Sequence, residues 1–296
     1  MKFLIVFVLF FSLTYGAPAH VINNQIVHVR EIYKAIDTIK LAVDIFYSEE
    51  IIKNNDNTAI LFFHGGGWAS GSSEKFFTAC ERYARKGVVA FAVNYRLSNE
   101  GGKIPHKDIS PIESLMDAKS VVRWVRSNAD KFGIDINKIV VSGQSAGGHL
   151  AISTAMIDEY NDESDDLSIS CYPNTVVLFS AAVNTVQEWC DYLLAKRRDK
   201  IWSISPAHHI KEGLPPMIHF HGSEDHIVPF WSVRYFKRDM ENKGNLYELI
   251  TCEGKRHLLA EGSEEYSQYF NEDILKQADE FLYKHNFLKR ELEDGK

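Results

Sequence analysis

The chain is short of several things that would point its chemistry elsewhere. It has four cysteines in 296 residues, Cys80, Cys171, Cys190 and Cys252, with no Cys-x-x-Cys pair and no Cys/His ligand spacing, so no metal site is expected. No glycine-rich loop is followed by G-K-[ST], and none has dinucleotide spacing, which removes the common nucleotide-binding loops. Cations do not dominate: 33 Lys and Arg against 40 Asp and Glu give a net charge of −7. No basic stripe with interleaved aromatics appears, so nucleic acid is not an expected partner. After the first residues, no segment is apolar for the roughly 18 residues or more that a membrane span requires. No internal repeat is evident.

What is present starts with a short basic opening, Met1-Lys2, a continuous apolar run from Phe3 to Leu13, and small residues at Tyr15-Gly16-Ala17-Pro18-Ala19. This reads as a secretory signal peptide over residues 1–19, cleaved after Gly16 or Ala19, and predicts an exported protein. In an oxidising compartment four cysteines allow three full pairings. Buried thiols and one or two bridges both stay open, with Cys171 to Cys190 the favoured pair.

Segments rich in Val, Ile and Phe alternate with helical patterns: Leu41 to Tyr47, Ala59 to Phe63, Val88 to Val93, Ile139 to Ser142, Val176 to Ser180, Met217 to Phe220 and Leu246 to Thr251. Such alternation predicts an α/β domain over residues 20–296, a mostly parallel twisted sheet with helices on both faces. Pro111 to Phe132 is the clearest helix, stopped by Gly133, with Trp124 on it expected to pack in the core. Asp158 to Asp166 reads as a solvated acidic excursion, since it lacks the glycine and terminal glutamate of a calcium loop. Residues of about 184–216, with Trp189, Trp202 and the basic run Lys196-Arg197-Arg198, leave the strand pattern and are expected to form a small lid or side wall.

Two stretches carry chemistry. Lys138 to His149 reads as a buried strand entering a sharp turn and then a helix, with Gly143-Gln144-Ser145-Ala146-Gly147 at the corner. Small neighbours let such a turn expose the Ser145 Oγ, and the N–H of Ala146 at the helix start would face developing negative charge. The alternative is a small-residue turn that merely packs a helix on a strand. Upstream, the apolar strand Ala59 to Phe63 ends in His64-Gly65-Gly66-Gly67-Trp68, where consecutive glycines let backbone N–H groups converge. An HGGG stretch is the general example of the other half of an oxyanion hole in lipases and esterases, which makes Gly66 and Gly67 candidates beside Ala146.

A nucleophilic serine needs a base and a group that orients it, in the chain order Ser, Asp/Glu, His. Asp225 follows the strand Met217 to Phe220 in a turn closed by Val228-Pro229, with Glu224 and Asp191 as rivals. His257 lies beyond the penultimate strand in Gly254-Lys255-Arg256-His257. His219, His221 and His226 crowd the acid's own turn, and His285 sits in the terminal helix.

On these pieces, together with Val93-Asn94-Tyr95-Arg96-Leu97, Ser205-Pro206 and His221-Gly222-Ser223-Glu224-Asp225-His226-Ile227-Val228-Pro229, the chain resembles the α/β-hydrolase fold family. Within it, the resemblance is to hormone-sensitive-lipase-like carboxylesterases and their secreted bacterial relatives. The resemblance runs from about residue 40 to residue 285 and places the acid at Asp225. It implies a serine esterase without metal or organic cofactor, acting on a small-molecule or saccharide ester such as an acetyl or feruloyl ester, or a short-chain lipase. An amide hydrolase of the arylformamidase or prolyl-peptidase type is the alternative, and a non-catalytic binding module a more distant one. One departure is Leu258-Leu259 after His257, where relatives carry a glycine or aromatic, which predicts a differently shaped pocket. The sequence does not reveal the oligomeric state.

Overall fold

The computed structural model describes residues 25–98, 108–186, 190, 192–260 and 271–290. The segment read as a signal peptide, together with Trp189 and Asp191, lies outside the described residues. Among the described residues, eight strands form one sheet in the order β1-β2-β4-β3-β5-β6-β7-β8. They are β1 (Ile26–Ile36), β2 (Ile39–Ser48), β3 (Asn57–Phe63), β4 (Val89–Val93), β5 (Ile134–Gln144), β6 (Thr175–Phe179), β7 (Met217–Gly222) and β8 (Tyr247–Cys252). β1 and β2 are antiparallel to each other, β2 is antiparallel to β4, and every later pairing is parallel.

Side-chain alternation along the central strands divides the core in two. Leu61, Phe63, Phe91 and Val141 face one layer, with α2 (Pro111–Ser127), α4 (Ala146–Met156) and α5 (Phe230–Asn242). Ile60, Phe62, Val140 and Phe179 face the other, with α1 (Phe77–Arg85) and α6 (Glu272–Lys284). Strands covered on both faces read as unbroken apolar runs, which is why they were visible in the sequence.

The expected helix from Pro111 to Phe132 is two: α2 ends at Ser127 and a single turn, α3 (Ala129–Phe132), follows Asn128, with Gly133 the left-handed stop. Ser110 caps α2, and the Glu113 carboxylate accepts from its backbone N–H at 2.8 Å, a reciprocal capping box. Trp124 packs partly buried against the core, as expected.

The acidic loop is solvated in part, with Asp158, Glu159, Glu163 and Asp166 exposed, while Asp162 and Asp165 turn inward to cations. Asp162 pairs with Lys34 at 2.6 Å, Asp165 with Arg123 at 2.8 Å, and buried Lys119 donates to the carbonyls of Asp158 and Glu159. Beneath them Arg96 grips the fully buried Asp117 with two nitrogens, at 2.8 and 2.7 Å. Desolvating so many charges is tolerable because each meets an opposite charge or a carbonyl. The bridge favoured from sequence is absent: Cys171 is a free buried thiol, as are buried Cys80 and half-buried Cys252.

Candidate active site

β5 runs straight into the corner expected at Gly143 to Gly147. Ser145 has φ 55° and ψ −120°, a conformation that L residues rarely adopt, and it stands directly before the first residue of α4. Its backbone is held by the Ser145 N–H donating to the Phe179 carbonyl at 3.0 Å. A Cβ on Gly147 would lie 2.0 Å from the Phe63 carbonyl oxygen, so α4 seats against the end of β3 only with glycine there.

That contact brings the glycine loop beside the serine corner. The absent Cβ of Gly65 would lie 1.9 Å from the Gln144 Oε1, so the Gln144 amide packs directly on the loop. Gly66 and Gly67 both have positive φ, 129° and 60°. Their N–H groups make no hydrogen bond to the described residues, and Ala146, opening α4, has no intrahelical acceptor for its own. The loop is anchored from below. The fully buried Trp68 donates its indole N–H to His149 Nδ1 at 3.1 Å, and His149 Nε2 donates to the Ile204 carbonyl at 2.6 Å. One neutral imidazole therefore ties the glycine loop, α4 and the segment of residues 192–204 together.

That segment is a packed wall: Leu193, Leu194, Ile201 and Ile204 are buried, and Arg197 binds Glu113 at 2.8 and 2.7 Å. Trp202 stays exposed.

At the other side, Asp225 is buried and fully supplied with donors. Its Oδ1 accepts from the N–H groups of Ile227 and Val228, each at 2.9 Å; Oδ2 accepts from His257 Nδ1 at 2.8 Å and faces His221 Nε2 at 3.2 Å. These hydrogen bonds overcome the burial that opposes charge and hold the carboxyl well below its usual range. Ionised Asp225 fixes the His257 tautomer with its proton on Nδ1 and a lone pair on Nε2. That lone pair accepts from the Gln144 amide Nε2 at 3.2 Å.

The structure thus joins Asp225 to His257 and sets Ser145 next to Gln144, the residue that His257 Nε2 touches; among the described residues no hydrogen bond links Ser145 Oγ to His257. Catalytic hydrogen bonds often close only on a bound substrate. Glu224 is exposed at the surface of the same turn. Leu259 is buried in the core layer that α6 helps to cover, with the partly buried Leu258 packed against it. Sequence reasoning missed Gln144 as a partner of His257, and it placed His221 in the acid's turn without pairing it with Asp225. Gln144 stood inside the serine motif as its variable position, and His221 stood one residue before the glycine of His221-Gly222.

The parallel sheet, the strand-turn-helix serine and the acid and histidine after β7 and β8 define an α/β-hydrolase. The chain belongs to the BD-FAE family, which matches it over residues 43–240. Among solved structures, the apo form of Thermogutta terrifontis esterase 2 superposes with a TM-score of 0.79 at 36% identity, covering 89% of this chain and 97% of that one. Among curated proteins, it is similar to Esterase LipC of Mycobacterium tuberculosis, 26% identical over 239 residues, which are 75% of this chain and 56% of that protein. Isoprenylcysteine alpha-carbonyl methylesterase ICME of Arabidopsis thaliana is 25% identical over 69% of this chain and 51% of that protein. The chain spans about half the length of these curated relatives.

Of the buried histidines around the site, His64 and His149 are expected to make the fold acid-sensitive. Burial holds His64 and His149 down to about 4, although each gains a carbonyl partner. Above pH 6.5 both are neutral folded and unfolded, and they add no pH dependence. Between pH 6.5 and 4 the unfolded chain binds protons that the folded one does not, so stability falls as pH falls, by on the order of 3 kcal/mol per histidine. Urea midpoints at pH 7.5, 6 and 4.5 should decline steeply over this window, and a flat series would contradict the neutral assignment.

Proposed function

We propose that this protein is a serine carboxylesterase acting on small or short-chain acyl esters. The observation that carries the reading is the Asp225 to His257 hydrogen bond at 2.8 Å, beside a serine held at φ 55° on the strand-to-helix corner. In this reading His257 Nε2 leaves Gln144 for the Ser145 hydroxyl when substrate enters and takes its proton as Oγ attacks the ester carbonyl. The N–H groups of Gly66, Gly67 and Ala146 receive the oxyanion. Protonated His257, balanced by Asp225, then delivers the proton to the leaving alcohol, and water returns along the same path to free the acyl group.

The short-acyl preference draws support from Thermogutta terrifontis esterase 2, solved with propionate and with butyrate bound. The alcohol side is read as a small molecule or a saccharide carrying acetyl or feruloyl groups. Export is part of the proposal and rests on the apolar run Phe3 to Leu13. A ladder of p-nitrophenyl esters from acetyl to palmitoyl tests the reading. Turnover should peak at about two to four acyl carbons and fall on longer chains. Activity on no ester, with anilides cleaved instead, would replace it with amide hydrolysis.

A further inference from the structure

The helix that follows the acid's turn, α5, carries two large aromatic rings that neither the core nor the catalytic groups use. Its inner side buries Ser232, Val233, Phe236 and Met240. On its outer side Trp231 and Tyr235, one helical turn apart, are 57% and 54% exposed. Their ring centroids lie 6.0 Å apart at an interplanar angle of 66°. Of the exposed aromatics described, only these two are in ring contact with each other. Neither the Trp231 indole N–H nor the Tyr235 hydroxyl has a hydrogen-bond partner among the described residues. Paired rings left in water on a surface helix mark a place where something binds.

The cations around these rings are not equivalent. Lys237 pairs with Glu241 at 2.7 Å, and Arg238 pairs with Asp239 at 2.8 Å while lying 5.0 Å over the Tyr235 ring. Arg234 is exposed and has no ion pair or hydrogen bond among the described residues. It lines two adjoining hollows of about 360 and 450 Å³, which share Trp231 as well. Both volumes fall in the range of small-molecule sites. The first hollow is walled by Trp231, Arg234, Tyr235 and Arg238 and contains no carboxylate, so the charge of Arg234 is uncompensated there. The second reaches Glu224 in the acid's turn. Neither is lined by Ser145 or His257, which sets both apart from the catalytic groups.

We infer that this groove is a second, non-catalytic binding site for an acidic saccharide chain, with a uronate carboxylate on Arg234 and the sugar rings across Trp231 and Tyr235. A pyranose ring carries C–H groups on its faces and hydroxyls on its rim. It can therefore cover an aromatic face while its rim stays in water, which suits hollows that are open to solvent. A purely apolar ligand needs an enclosure that buries most of its surface, and rings more than half exposed do not provide one. The free indole N–H and phenol hydroxyl can meet sugar hydroxyls at the rim. The unpaired guanidinium selects a carboxylate, which it can hold with two parallel N–H donors. The site stands by itself. Its use, holding the saccharide whose ester Ser145 cleaves, rests on the reading of the protein as an esterase of saccharide esters.

Oligogalacturonate, which carries no ester, is the probe. Titrated into the wild-type protein, it should bind and change the tryptophan fluorescence, and its carboxyl-reduced form should bind about tenfold more weakly. Arg234→Gln and Trp231→Ala, both at exposed positions, should each weaken binding of the acidic form about tenfold while hydrolysis of p-nitrophenyl butyrate stays at the wild-type rate. Absence of binding, equal binding of the carboxyl-reduced form, or wild-type binding by either variant would overturn the inference. Sedimentation showing a dimer that Trp231→Ala dissolves would assign the face to a second copy of the chain and overturn it as well. Binding is read without turnover, so an inert groove would leave the esterase reading standing, and failure to cleave any ester would leave the binding result standing.

Discussion

Alanine at Ser145 is expected to lower kcat on p-nitrophenyl butyrate by about 10³ to 10⁶-fold, while the urea midpoint stays at or above that of the wild type. The size follows from the loss of the covalent path, which leaves the backbone donors and binding as the sole sources of rate. The stability follows from the backbone: the φ of 55° is imposed by β5, α4 and the Phe179 hydrogen bond, not by the hydroxyl. Alanine keeps those contacts. If the variant retained more than a tenth of the activity, the nucleophile would have to be sought elsewhere.

Asparagine at Asp225 is expected to cost on the order of 10³ to 10⁴ in kcat, the scale of acid-to-amide changes in serine triads. Its carbonyl can still accept from the N–H groups of Ile227 and Val228, so the turn survives. Its NH₂ would then face His257 Nδ1 and His221 Nε2, where the carboxylate now lies at 2.8 and 3.2 Å. A donor there forces the His257 proton onto Nε2, the nitrogen that must accept from Ser145. Steady-state kinetics across pH 6 to 9 check this, and a loss smaller than tenfold in a folded variant would contradict the assigned tautomer.

Much of this was legible because parallel strands covered on both faces need continuous apolar runs, and the serine corner and glycine loop need small residues where backbones meet. β1 was missed. It is an edge strand paired on one side, and its polar residues His28, Arg30 and Glu31 break the apolar run that marked the others. The exposed half of the acidic loop was legible, but the inward turn of Asp162 and Asp165 was not, because their partners, Lys34, Arg96 and Arg123, come from β1, the segment after β4 and α2. Charge partners distant in sequence leave no local pattern. The same holds for the site. Both Asp225 and His257 follow strand ends; position singled out His257, while the family resemblance was needed to choose Asp225 over Glu224 and Asp191. Gln144 and His221 act through distances of 3.2 Å set by the folded chain, and nothing in their spacing announced it. Reading His219 and His221 as crowding the acid's turn was correct in place, but what they do there depends on which ring nitrogen meets which acceptor.

Thermogutta terrifontis esterase 2 has been solved phosphorylated by paraoxon, and the same reagent gives the most direct test of the nucleophile here. Intact-mass analysis of the paraoxon-treated protein, followed by peptide mapping, should find one diethylphosphoryl group per chain, on Ser145, gained in step with the loss of ester hydrolysis. Ser145→Ala should take up none. A phosphoryl group found on another residue, or full hydrolytic activity in protein labelled at Ser145, would contradict the account.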